Sequence, residues 1–120
     1  MRKVLLGVVV AAFVILPWLS GMGSTVAHAA GGDARKGKAV YEKSCVLCHG
    51  PQGRGDGPVG KIINPPAANF TSTASKKKTD AELLDTIENG RPPTAMVGWK
   101  GQLSAAEIQD VFAYVKSLRQ

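Results

Sequence analysis

Apolar positions along the chain fall into stretches of unlike pattern. Val4 to Leu19 is almost continuously apolar and follows Arg2 and Lys3. After Gly31-Gly32 the pattern becomes amphipathic: Gly37, Val40 and Tyr41 recur at i, i+3 and i+4 behind Asp33, a residue type suited to an N-cap. This predicts a first helix ending at Ser44 or Cys45. Thr79-Asp80-Ala81-Glu82 reads as a capping box ahead of Leu83, Leu84 and Ile87, with Asn89-Gly90 as the stop. Asp80 and Glu82 also suit the positive end of that helix. Ser104-Ala105-Ala106-Glu107 is a second capping box. It leads into Ile108, Val111, Phe112, Val115 and Leu118, the strongest amphipathic pattern in the chain.

Between these helices the pattern is irregular. Gly50 to Gly60 is so rich in Gly and Pro that it reads as loop. Ile62, Ile63, Pro65, Pro66 and Phe70 make an apolar stretch held extended by its prolines, better suited to wrapping a hydrophobic ligand than to building a sheet. Arg91-Pro92-Pro93 forces a further non-helical segment through Met96 to Trp99. Nowhere do β-branched and polar residues alternate over a useful length. The expectation is all-α: three main helices with long connections. Loops of that length in a small domain call for a function. Gly37 inside the first helix is open to two readings, close approach of another helix or simple tolerance.

At 120 residues there is room for one domain. The basic start, the apolar run and Ala27-His28-Ala29 form a signal-peptide pattern, so residues 1–29 are expected to be removed after Ala29, leaving a domain at 30–120. The competing reading is an uncleaved anchor, but the run is short against the ~20 residues of a spanning helix, and Pro17 interrupts it. The formal charge of +6 falls when Arg2 and Lys3 are removed. With no dense basic stripe carrying interleaved aromatics, nucleic acid is not expected as a partner.

Both cysteines lie in Cys45-Val46-Leu47-Cys48-His49, the C-x-x-C-H arrangement of covalent haem attachment. Two thiols about a helical turn apart each reach one vinyl group, and the adjacent imidazole falls under the ring to ligate iron. The expected cofactor is a single covalent haem c. Outside the signal segment the chain keeps one His, His49, and one Met, Met96. By elimination Met96 is the second axial ligand, in the His/Met arrangement of electron-transfer haems. Zinc fails on counting, since closed sites need four Cys or His ligands. A thioredoxin-like thiol site fails for want of a βαβ pattern.

With Cys45, Cys48, His49 and Met96 in place, residues 30–120 resemble the class I c-type cytochromes, small bacterial monohaem type. The resemblance implies a cytochrome c fold around one haem. It matches Gly37 and Tyr41 to a contact face crossed by Val111 and Tyr114, which favours close approach at Gly37. It also implies that the carbonyl of Pro58, in Asp56-Gly57-Pro58, accepts a hydrogen bond from His49. Asn64 to Phe70, including Asn69, would form the wrapping on the propionate side of the haem, as in bacterial relatives. Trp99 would lie near the Met side or serve as ordinary core.

The expected function is a periplasmic, monomeric electron carrier and not an enzyme; the alternative is a haem subunit of a larger respiratory or sulfur-oxidising complex. Partners would be redox proteins with acidic docking surfaces. A membrane would be met only through partner complexes or an uncleaved anchor. Lys76-Lys77-Lys78, with Lys61 and Lys100, either steers such partners or is a solvated run.

Overall fold

Asp33 begins the first helix as its residue type predicts: its carboxylate accepts from the Arg35 amide at 2.9 Å, and α1 runs Ala34–Ser44. The computed structural model describes residues 31–120; the expected signal segment and its cleavage after Ala29 lie outside the described residues. At Cys45 the backbone leaves helical values (φ −121, ψ −28), and a single turn, α2 (Val46–His49), follows at once. A second short turn, α3 (Thr73–Lys76), starts at Ser72, whose hydroxyl accepts from the Ser75 amide. The remaining helices are α4 (Asp80–Asn89) and α5 (Ala105–Leu118). In each the N-cap hydroxyl and the N3 glutamate bond reciprocally, as their capping boxes predict. Among the described residues, β structure is limited to two isolated bridges, Gly90 with Val97 and Lys100 with Leu103. No helix among them is long and apolar enough to cross a membrane.

The crossing of α1 on α5 organises these pieces. A Cβ on Gly37 would lie 1.9 Å from the Asp110 carbonyl oxygen and 2.9 Å from the Val111 amide nitrogen. The two backbones therefore touch, and close approach is the reason for a glycine inside the helix. The Asp110 side chain also accepts from the Asp33 amide at 2.7 Å, tying the start of α1 to the same turn of α5. One turn further on, Tyr41 is fully buried and meets Tyr114 edge-on with ring centroids 5.2 Å apart. Its hydroxyl donates to the Gly50 carbonyl at 2.7 Å, so the polar tip of a buried ring is satisfied.

Leu83 and Ile87 of α4 join Ile108, Val111 and Val115 of α5 and Phe70 to complete the core. Lys116 pairs with Asp80 across the α4–α5 junction and lies over the Phe112 ring. The helical periodicities thus place the intended residues inward. Two features differ from expectation. The turns α2 and α3 were not predicted, being too short for any periodicity to register. Ile62 is 81% exposed, whereas its neighbour Ile63 is half-buried. The pair closes a run of turns rather than an extended segment, the amides of Ile62 and Ile63 both donating to the Val59 carbonyl at 3.1 and 3.3 Å, and only Ile63 lines the cavity.

Gly37→Ala tests the crossing. Helix propensity alone would stabilise the variant by about 0.8–1 kcal/mol. The contact with Asp110 instead predicts a net loss, with overpacking costing about 1–3 kcal/mol or more. Guanidinium denaturation of the purified protein measures it, and a gain in stability would mean that the helices have room to spare.

Candidate cofactor site

The site begins at the break between α1 and α2. Cys45 stands at the junction and Cys48 in the turn beyond it, with the His49 amide donating to the Cys45 carbonyl at 3.0 Å. The C-x-x-C-H segment is therefore helical, and its two thiols are about one turn apart. They are free and half-buried. Burial, and secondarily the neighbouring Cys48, push the Cys45 thiol up to about 11. At neutral pH it is protonated, which is the opposite of what a nucleophilic redox cysteine requires.

A turn of four residues leaves its last carbonyls without helical partners. Here the glycine-rich loop supplies them: the amides of Val59, Gly57 and Gly55 donate to the carbonyls of Leu47, Cys48 and His49 at 3.1, 3.2 and 2.8 Å. The loop must lie against the turn to do this. At Gly60 an added Cβ would sit 1.9 Å from the Cys48 carbonyl oxygen. The Gly/Pro run is thus packed backbone rather than slack chain.

The extended segment that follows returns to His49. Phe70 stacks on the imidazole with centroids 4.6 Å apart and planes 18° from parallel. The Ala68 carbonyl lies 3.1 Å from His49 Nδ1. A carbonyl can only accept, so Nδ1 carries the proton and Nε2 keeps its lone pair. Burial lowers the His49 pKa from its ordinary value, with the bond to Ala68 opposing it. The neutral imidazole, the form that ligates metals, is favoured.

This corrects the expectation for Pro58. That residue is exposed and is not among the residues lining the cavity beside His49. The loop uses its amides to cap α2, which leaves the backbone at Ala68 to meet the imidazole. Asn69 lines the cavity, and its side-chain oxygen accepts from the amide and hydroxyl of Thr71, both at 2.8 Å. Trp99 lines it too, held by its amide to the Ile87 carbonyl at 2.9 Å.

Met96 reaches the same cavity from the loop after α4. The loop is pinned there by the Arg91 amide on the Met96 carbonyl at 2.9 Å and by the Met96 amide on the Thr94 hydroxyl at 3.2 Å. Cys45, Cys48, His49 and Met96 therefore open on one cavity of about 450 Å³. Its walls are largely apolar, with Ile63, Phe70, Leu83, Ile87, Val111 and Val115 among them. The volume lies within the ~300–1,000 Å³ range of small-molecule sites. Two thiols, a neutral imidazole and a thioether facing a large apolar space fit covalent haem c. Among the described residues no three His, Cys, Asp or Glu side chains converge as a metal cluster would need.

Sequence reasoning did not find the roles of Ala68 and Phe70 against His49. Phe70 was visible as a lone aromatic in the Pro/Ala stretch, but nothing in a side-chain pattern marks a backbone carbonyl.

Comparison with known proteins bears on this arrangement. Residues 32–115 match the family model described as cytochrome C oxidase, cbb3-type, subunit III. The chain is 36% identical over 89 residues to the Cbb3-type cytochrome c oxidase subunit FixP of Bradyrhizobium diazoefficiens, covering 73% of this chain and 28% of that protein. It thus spans little more than a quarter of that relative. Cytochrome c-554(547) of Halothiobacillus neapolitanus is 30% identical over 90 residues, covering 73% of this chain and 99% of that protein. Among solved structures, the KustC0563 c-type cytochrome superposes with a TM-score of 0.55 at 26% identity, covering 69% of this chain and 93% of that one.

Phe70 and Pro58 give opposite expectations. Phe70→Ala removes a ring that is 8% exposed and lies against His49, and is expected to cost about 3–5 kcal/mol. Pro58→Ala, at an exposed position, is expected to stay within about 1 kcal/mol. Denaturant titration of the two variants side by side checks both.

Proposed function

The chain belongs to the c-type cytochrome family that the cbb3-type subunit III model describes, and from that premise we propose that it is a monohaem electron carrier with His49 and Met96 as axial ligands. Membership makes it a haem c protein of electron transport; the haem number, the ligand set and the carrier role are the proposal. The observation that carries it is the meeting of Cys45, Cys48, His49 and Met96 on one apolar cavity from two separate parts of the chain.

In this reading Cys45 and Cys48 would hold the haem by thioethers, and His49 and Met96 would supply the protein ligands to its iron. Haem, when bound, supplies a one-electron Fe(III)/Fe(II) couple. The rest falls to the chain. The Ala68 carbonyl fixes the tautomer and orientation of His49. The Arg91 and Thr94 bonds hold the Met96 backbone in place. A Met ligand sets the potential above that of a second His. The walls of Leu83, Ile87, Val111 and Val115 keep water away. With His49 and Met96 both given to the iron, the chain would act as carrier rather than catalyst. Residues 1–29 act as a signal peptide, so the domain at 30–120 works in the periplasm as a soluble monomer and meets redox proteins whose docking surfaces are acidic.

A second reading, a haem domain acting within a larger oxidase or dehydrogenase complex, is favoured by the identity to FixP over part of that protein's length. The full-length match to cytochrome c-554(547) favours the carrier. Co-purification with a partner complex would support the former, and a monodisperse monomer the latter.

Met96→Ala should abolish the Met–iron charge-transfer band and lower the midpoint potential, both read in one optical redox titration against the wild type. A wild type lacking the band would overturn Met96 as ligand. Intact mass of the exported protein should correspond to residues 30–120 plus one haem; a mass retaining residues 1–29 would overturn the cleavage.

A further inference from the structure

Phe70 belongs to the core and to the site at once. It packs in one cluster with Val111 and Val115 of α5, yet its ring also lies flat on the His49 imidazole, 18° from parallel. A side chain that only fills space needs no particular angle to its neighbour. This ring is held at its angle from two further sides. The Phe70 amide donates to the Gly53 carbonyl at 2.7 Å, which draws the root of the side chain onto the loop. A Cβ on Gly53 would lie 2.6 Å from Cδ2 of the Phe70 ring and 3.1 Å from Cδ1 of Leu118, the last residue of α5. Loop, ring and terminal helix therefore meet over the bare face of Gly53. That glycine is buried with φ +68, a left-handed value that costs glycine little.

The imidazole meets two different restraints. The Ala68 carbonyl holds it at one atom, Nδ1, and a single hydrogen bond leaves the ring free to tilt about that point. Phe70 instead covers a whole face, with the centroids at the short end of the range for aromatic pairs. Turning the imidazole about its Cβ–Cγ bond would drive one of its edges into the phenyl ring.

Building on the function proposed above, we propose that Phe70 is a positioning residue that sets the plane of the His49 imidazole, with Gly53 and Leu118 keeping the phenyl ring in place. The groups around a ligating histidine fix its tautomer and its ring orientation. Here the two tasks are divided between near neighbours, the tautomer falling to the Ala68 carbonyl and the plane to the Phe70 ring. The plane matters once haem is bound, because the orientation of an axial imidazole biases which iron orbital holds the unpaired electron of the low-spin ferric state. The end of α5 is in this way linked to the cofactor through one ring.

The test uses the purified, haem-loaded protein. Phe70→Leu keeps an apolar side chain in the core and removes the flat face. It should move the ferric EPR g-values and redistribute the hyperfine-shifted haem methyl resonances, with the Met–iron charge-transfer band kept. Gly53→Ala pushes the ring from its place and should move the same two readouts. Phe70→Tyr retains the flat face and should stay close to the wild type in both. Ile108→Val, in the buried core but off the cavity wall, should lower stability and move neither. The role is overturned if Phe70→Leu and Gly53→Ala keep the wild-type g-values and methyl shifts. It is equally overturned if Ile108→Val moves them as far as Phe70→Leu does, since the readouts would then follow stability alone. Should Phe70→Leu not fold, Gly53→Ala against Phe70→Tyr decides between the same outcomes. A wild type without covalent haem would overturn the parent reading, whereas unmoved variants with haem bound overturn only the role of Phe70.

Discussion

The contact of α1 with α5 at Gly37 is a contact of two backbones, and the placement of the site follows from it. Because the Asp110 carbonyl sits where a Cβ would be, the two helices have little freedom to slide or rotate against each other. Asp33 and Asp110 fix one end of the crossing, and Tyr41 against Tyr114 fixes the other. The end of α1 is then determined, and with it the position of Cys45. A helix held this firmly can present reactive side chains from its last turn without a sheet or a disulfide behind it.

The second constraint is the satisfaction of polar backbone. The turn carrying Cys48 and His49 is too short to bond its own carbonyls, and the loop from Gly53 to Gly60 folds against it to provide amides. The same loop then hands the chain to the segment that brings Ala68 and Phe70 onto His49. Local hydrogen-bond demand and the orientation of the His49 imidazole are in this way two outcomes of one loop path. The packing that results makes cavity walls out of segments with almost no regular structure.

Much of this was legible in the chain. Asp33, Thr79 and Ser104 announced the three long helices, because an N-cap is a local interaction between neighbours in sequence. The motif at Cys45 to His49 and the lone Met96 singled out, by residue type and by counting, side chains that the fold brings to one cavity. Gly37 could be read either way until its neighbour across the crossing was known. Ala68 was not legible, since a carbonyl carries no side-chain signature, and Pro58 was favoured in its place. Ile62 shows a related limit: composition marks a stretch as greasy, but which member of it faces inward depends on the path of the backbone.

The packing of Gly60 against the Cys48 carbonyl has a consequence for biogenesis. In the folded chain Cys45 is half-buried and protonated, and the loop lies hard against the turn that bears its partner. A maturation enzyme that joins vinyl groups to these sulfurs needs the opposite: an accessible, flexible pentapeptide and thiols it can activate. The two requirements are met at different times. If haem is attached at these sulfurs, the step would be easier before residues 50–60 close against the turn. The loop is thereby a clock as well as a wall, since its folding would end the interval in which attachment is easy.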